Sequence, residues 1–361
     1  MRLLSPILRQ VVYPVLGKLG YFHSCTSASV LTYHGVFPSG YRIADPFLDD
    51  TLLTAEVFRL QLRLLKRHYN VISPEHFRQC LGGSEPLPER AVLLTCDDGL
   101  MNNLTVMAPI LQEEGLQCLF FITGASVTGH SRVLWYVDLY LMIMDRERQL
   151  RGFTWRGIRV PQALPDPAKR RLQYFELMNH LSGLSFEERA GFLQEAARQW
   201  GLAESWNVRY LDDPSCRQRF QFLDRDGLRR LSNHGMTVGA HTLSHPALSQ
   251  LPKALACSEI TESKRQLESC IGQAVWALAY PFGNAVTVGD RERDLAREAG
   301  YECAFMNVPG TLRQDCAFSI PRVHVTSGMS LGTFEAHVCG FHESLRRRMR
   351  MLGSAESATP L

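Results

Sequence analysis

Two apolar runs, each ending in a cluster of candidate metal ligands, constrain this chain more than any other feature. Ala91-Val92-Leu93-Leu94 leads into Thr95-Cys96-Asp97-Asp98-Gly99, and Met236-Thr237-Val238-Gly239-Ala240 leads into His241-Thr242-Leu243-Ser244-His245. An isolated Asp-Asp-Gly is a turn signal, because Asp accepts local backbone bonds and Gly supplies positive φ. Two His four residues apart are, in isolation, one face of a helix. Neither reading explains why both clusters stand where a buried strand ends. Parallel strands deliver their carboxyl ends to a common mouth, where barrel enzymes keep their chemistry. Brought together there, an adjacent carboxylate pair and two imidazoles supply an O,N,N set for a divalent ion and one further carboxylate to move a proton. The chemistry this points to is metal-assisted hydrolysis.

The rest of the chain supports a parallel βα arrangement. Strand-like runs at Ser29–Val36, Ala91–Thr95, Cys118–Thr123, Met236–Ala240, Ala274–Ala279, Tyr301–Met306 and Phe318–Val325 alternate with helical spacing over Ala55–His68, Leu104–Glu114, Ile260–Cys270 and Arg291–Ala299. Residues of about 130 to 220 interrupt this rhythm with Trp135, Trp155, Trp200 and Trp206, a Pro-rich turn at Pro161–Pro167 and helical runs such as Phe186–Leu193. The expected architecture is an α/β distorted (β/α) barrel spanning 29–340, with a mainly helical insertion on its loop side. An amphipathic segment at 1–28 precedes it, and a tail at 341–361, first basic and then disordered from Gly353, follows it.

The two clusters resemble the first and second motifs of the polysaccharide deacetylases, the NodB-homology group of carbohydrate esterase family 4, written T-F-D-D-G and H-[ST]-x-x-H. Tyr280-Pro281-Phe282-Gly283, after Ala274–Ala279, resembles the third motif, R-x-P-[YF]-G, and the three occur in the family's order. The resemblance implies the distorted barrel and hydrolysis of an N-acetyl group from an amino sugar, polymeric or lipid-linked, in bacterial surface-polysaccharide synthesis. It implies that Asp98, His241 and His245 ligate the metal, that Asp97 is the general base, and that Tyr280, Pro281 and Phe282 contact substrate. Zinc suits one carboxylate and two imidazoles best.

Two histidines compete as the acid that protonates the leaving amine. Arg322-Val323-His324 is the late match to the family's L-x-H. Tyr33-His34 resembles the Y-H motif of relatives that deacetylate poly-N-acetylglucosamine, and His34 is preferred because it stands at a strand's end. Ala279 occupies the third motif's Arg position, so Arg322 is assigned to orient Asp97 in its place. The family's fourth motif, an Asp with a Trp, has no counterpart after Trp276. Cys96 replaces the usual Phe and reads as a packing residue, since two carboxylates beside it raise a thiol's pKa. Two other readings stay open: a hydrolase of a different C–N amide, and a non-catalytic carbohydrate-binding relative.

Composition excludes some partners. Lys and Arg number 39 against 36 Asp and Glu, a formal charge of +3, so no basic footprint for nucleic acid exists. The ten Cys are scattered without a C-x-x-C pair, which suits buried thiols in a reducing, cytoplasmic compartment. At the amino terminus, Arg9 and Gln10 interrupt what would be a signal-peptide core. Leu4, Ile7, Leu8, Val11, Val15 and Leu19 instead recur at helical spacing opposite Arg2, Ser5, Arg9 and Lys18. This segment is expected either to lie at a membrane interface, peripheral to the inner membrane, or to pack on the barrel. The sequence carries no reading of oligomeric state.

Overall fold

The computed structural model describes residues 7–19, 22, 28–42, 47–129, 132–144, 150–162, 166–202, 208–310, 312 and 316–356. The strands are β1 (Ser29–Tyr33), β2 (Asn70–Ile72), β3 (Ala91–Cys96), β4 (Leu119–Ile122), β5 (Phe153–Trp155), β6 (Ile158–Val160), β7 (Thr237–Ala240), β8 (Ala277–Ala279), β9 (Cys303–Phe305) and β10 (Val323–His324). Eight of them form one sheet in the order β10-β1-β3-β4-β7-β8-β9, with β2 also paired to β3. Every pairing within this sheet is parallel. The chain between β9 and β10 joins the two ends: Phe305 and Ile320 form a parallel bridge, and Arg322 N–H donates to Val308 O at 3.0 Å. On one edge of β3, β2 pairs with Ala91–Leu93 and β4 with Thr95–Cys96, so two strands share an edge that normally serves one. The expected distorted (β/α) barrel is the fold that forms.

Side-chain parity decides what faces the lumen. Every residue of β1, β3 and β4 is buried, as required of strands covered on both faces. Leu31, Tyr33, Leu94, Cys96 and Phe120 point outward and pack with Phe58, Leu62 and Leu65 of helix Ala55–His68. Val30, Leu93, Phe121, Ala279, Phe305 and Ile320 form a separate cluster inside the barrel. Continuing this period of two past the strand ends carries the inner face to His34, Asp97 and His241, and along β10 to Arg322 and His324. Cys96, of the opposite parity, is buried in the outer layer, and burial first, then Cys118 and after it Asp97 and Asp98, raise its thiol well above the usual range.

The insertion enters after β4 and leaves before β7, at the carboxyl end of the barrel. Its ends are stitched together and to the Asp-Asp loop: Phe222 N–H donates to Arg132 O (2.9 Å), Met101 N–H to Gln221 O (2.8 Å) and Leu223 N–H to Gly99 O (2.8 Å). Tyr140, Leu177, Phe192, Ala196 and Phe220 give it a core of its own. It also contains the hairpin β5–β6, which the mainly helical expectation missed. Arg156 and Gly157, with φ of 46° and 85°, make a two-residue turn between Phe-Thr-Trp and Ile-Arg-Val, an alternation readable in the sequence. Trp206 and residues 163–165 of the expected Pro-rich turn lie outside the described residues.

The amino-terminal segment packs on the fold and also keeps an exposed face. A π-helical turn (Leu8–Val12) runs into helix Tyr13–Lys18. Tyr13 is fully buried with Phe22, Ala336 and Cys339, while Leu8, Val12 and Leu16 pack against that cluster. The expected stripe is therefore divided, Leu8 turning inward and Ile7, Val11, Val15 and Leu19 remaining exposed. Arg2, Leu4 and Ser5 lie outside the described residues. Among the described residues no helix is long and apolar enough to cross a membrane. At the other end, helix Phe341–Glu356 continues through Gly353, where disorder was expected to begin, and 357–361 lie outside the described residues. Ala355 and Glu356 favour helix and Gly353 costs only about 1 kcal/mol within one, so the small and polar composition did not end it.

Candidate metal centre

Asp98, His241 and His245 converge as the two strand ends require. Their ligand atoms lie within 4.8 Å of one another and all three residues are buried. His241 Nε2 and His245 Nε2 stand 3.8 and 3.6 Å from Asp98 Oδ1. Two ligands each about 2.1 Å from a tetrahedral ion are about 3.4 Å apart, so the spacing fits one small divalent cation. His241 Nδ1 meets Ala279 O at 2.7 Å, which makes Nδ1 the donor and leaves the Nε2 lone pair for the ion. Asp98 Oδ1 is buried without a hydrogen-bond partner. Burial first and the Asp97 charge second push the Asp98 carboxyl up to about 7, a demand for positive charge that a bound cation meets. A second group, His337, His342 and Glu343, does not share this geometry: its two imidazoles stack at 4.0 Å with a 30° tilt, so their in-plane lone pairs do not converge.

Asp97 is held differently. Arg322, fully buried, donates from Nη1 and Nη2 to its two oxygens at 2.7 Å each, and from Nε to Met306 O at 3.0 Å. Burial alone would raise the Asp97 carboxyl, but the Arg322 guanidinium holds it well below the usual range. Ala279 leaves the lumen without the third motif's guanidinium, and Arg322, directly before β10, brings one to Asp97 from two strands away from β3.

Register separates the two candidate acids. Thr32 pairs with both Thr95 and His324, so His324 lies at the level of Thr95, whereas His34 lies at that of Asp97, two residues nearer the mouth. Their rings are 4.9 Å apart, but only His34 lines the cavity above the ligands. Burial first and His324 second lower His34 to about 3, so its ring is neutral at rest, with Nδ1 buried and without a partner.

A support absent from the sequence reading comes from the insertion. Arg189, fully buried on helix Phe186–Gln199, donates to Ser244 Oγ and, at 2.7 Å, to Leu184 O. Ser244 lies between the two candidate ligand histidines and gives its backbone N–H to Glu259 Oε2 at 2.8 Å and its hydroxyl to Glu259 Oε1. Trp135 Nε1 donates to His245 O at 3.0 Å, and the Arg189 guanidinium lies 5.3 Å from the Trp135 ring centroid. Burial lowers Arg189 to about 10, which leaves it a cation at neutral pH. Four of the six non-glycine residues with positive φ among those described are Asp98, Thr242, His245 and Phe282, all in the site loops. Backbone strain of this kind persists only where the surroundings over-determine it, and in the His-containing loop Arg189, Glu259 and Trp135 are among those surroundings.

The cavity over the ligands measures about 250 Å³. His34, Asp97, Asp98, His241 and His245 form its polar floor, while Leu134, Val137 and Met178 of the insertion supply apolar wall. Phe282 lines it and packs edge-on against His245 at 5.0 Å. Tyr280 reaches it only in part, its ring being 1% exposed and its hydroxyl donating to Phe318 O at 3.3 Å. Pro281, expected to contact substrate, is not among the lining residues, because the turn that exposes Phe282 buries it.

Fold and site together define a class: a distorted (β/α) barrel with a buried Asp-His-His set at its carboxyl mouth and a second Asp held by Arg. In sequence the chain is similar to the polysaccharide deacetylases, whose family model matches residues 197–304. The match covers the His-containing loop and third motif, while Asp97 and Asp98 lie before it. YxkH of Bacillus subtilis, whose name places it among the polysaccharide deacetylases, is 26% identical over 117 residues, which is 32% of this chain and 41% of that protein. In fold the chain is similar to the Streptococcus pyogenes deacetylase PplD, with a TM-score of 0.55, 16% identity and coverage of 87% and 99% of the two chains. It is also similar to IcaB of Ammonifex degensii, with a TM-score of 0.53, 17% identity and coverage of 87% and 97%.

Proposed function

We propose that this protein is a divalent-metal-dependent hydrolase that removes the N-acetyl group from an amino sugar of a polysaccharide or lipid-linked saccharide in surface-polysaccharide synthesis. The observation that carries this reading is the division of the adjacent carboxylates, with Asp98 grouped with His241 and His245 and Asp97 locked onto Arg322. A divalent ion bound to the first three, zinc by donor type, supplies a Lewis acid that lowers the pKa of water and polarises an amide carbonyl. Asp97 takes the proton of the attacking water, and Arg322 fixes the direction of its lone pairs. The proton that Asp97 has taken from water passes to His34, neutral at rest, which delivers it to the nitrogen of the departing amine and so restores the Asp97 carboxylate. The amide C–N bond breaks, and acetate and the free amino sugar leave. Phe282 and the apolar wall confine the acetyl methyl and exclude bulk water.

Metal analysis of the purified chain combined with acetate release from a panel of N-acetylated saccharides tests this. One equivalent of ion and acetate from at least one member are expected. Ion without acetate, together with turnover of another amide, identifies a different C–N hydrolase, and absence of both points to a carbohydrate-binding relative.

The acid assignment has its own signature. His34→Ala is expected to lose about 10² to 10⁴ in amide hydrolysis. It should keep much of its activity on an activated aryl acetate, whose leaving group departs unprotonated. His324→Ala should lose mainly stability. The amide-selective loss appearing in His324→Ala alone would reverse the assignment.

A further inference from the structure

The amino-terminal segment carries a face that the barrel leaves unpartnered. Ile7, Val11, Val15 and Leu19 are 54%, 56%, 50% and 75% exposed, and they recur every four residues along one line of the helical segment. Over this span the line is about 18 Å long. A surface helix normally shows polar residues outward, and an outward apolar line marks a contact surface.

The segment is docked firmly. A Cβ on Gly332 would lie 2.4 Å from Tyr13 O, and one on Gly17 would lie 3.0 Å from Gly332 Cα, so the two backbones touch through glycines. Tyr13 OH also meets His342 Nδ1 at 2.9 Å. Helix Phe341–Glu356 packs Phe341 and Leu345 into the same cluster as Tyr13, Leu8, Val12 and Leu16. Arg346, Arg347 and Arg348 follow Leu345 directly, and the last two are exposed. The helical segments that carry the apolar line and the cationic cluster are thus anchored on one small core.

We propose that this face is a docking surface for an anionic phospholipid bilayer, with Ile7, Val11, Val15 and Leu19 entering the acyl boundary and Arg347 and Arg348 meeting lipid phosphates. Charge complementarity argues for an anionic bilayer as the occupant, because the helix that shares the stripe's core carries the exposed cations Arg347 and Arg348. No site residue belongs to this surface, so the inference stands apart from the proposed reaction.

Flotation of the full chain with vesicles of phosphatidylcholine alone, or with added phosphatidylglycerol, tests it. The protein is expected to float with the anionic vesicles and to be released by salt. Val11→Glu with Val15→Glu should abolish flotation, and Arg347→Glu with Arg348→Glu should lower partitioning by at least about thirtyfold. Both pairs are exposed, so thermal midpoints should stay at the parent value. Deleting the segment is the wrong test, because it would remove Tyr13 from the core. Equal flotation of parent and variants, or no flotation with either vesicle, overturns the proposal. Light scattering that shows a dimer dissociated by Val15→Glu also overturns it, and assigns the stripe to a contact between copies.

Discussion

Asp97→Asn is expected to reduce turnover by about 10² to 10⁴ while the ion stays bound, because it removes the proton acceptor and leaves Asp98, His241 and His245 in place. His241→Ala, His245→Ala and Asp98→Asn should each lose the ion. The Asn variant will not be structurally silent. Arg322 is fully buried and bonds both Asp97 oxygens, so removing the negative charge leaves a buried guanidinium with only neutral partners. Breaking such a pair costs about 3–5 kcal/mol. Rates must therefore be taken per folded, metal-loaded molecule, with unfolding followed separately in urea. Full activity in folded Asp97→Asn, or loss of its ion with the ion retained in Asp98→Asn, would reverse the roles given to the two carboxylates.

The second large effect is expected at Arg189, far from the metal-binding motifs in sequence. Arg189→Met should destabilise the protein by about 3–5 kcal/mol, because Glu259 would keep a buried carboxylate with no cation near it. Nη2 of Arg189 stands 3.8 Å from Glu259 Oε1, with side-chain exposures of 1% and 8%, so solvent cannot replace the lost partner. Glu259 also holds Ser244 by backbone and hydroxyl, and loosening it frees the turn that aims His241 and His245. Metal affinity should fall together with stability. Adding Glu259→Gln should recover part of the stability by removing the stranded charge, without recovering the geometry of the loop. A change within about 1 kcal/mol in Arg189→Met would mean that the insertion does not brace the metal loop.

Fold class and the candidate ligand group Asp98, His241 and His245 were legible because both rest on local rules. Strands buried on both faces read as continuous apolar runs, and a polar cluster where such a run ends is costly unless it does chemistry. The same period of two that builds β3 carries Leu93, Thr95 and Asp97 onto one face, so Asp97 was directed at the lumen by its position alone. His34, two residues beyond Thr32, was readable for the same reason. The hairpin β5–β6 was readable too, from alternation around Arg156-Gly157, but the helical runs on either side obscured it.

Other features have no local signature. That Arg322 meets Asp97 depends on β10 joining the sheet beside β1 and reaching across it to β3, a contact between residues 225 apart in the chain. That Arg189 braces Ser244 depends on how the insertion folds back over the barrel mouth. Helical periodicity reports only that one face of helix Phe186–Gln199 is buried, not which side chains it meets. The division of the amino-terminal stripe was likewise settled by packing, since a spacing of three or four residues allows Leu8 and Val11 to share a face until Gly17 and Gly332 fix the rotation of the segment. Residue type and strand parity thus determined which groups face the lumen and which chemistry they can perform. The tertiary structure decided how each charge is partnered, because desolvation and ion pairing depend on what lies across the barrel and not on what lies next in the chain.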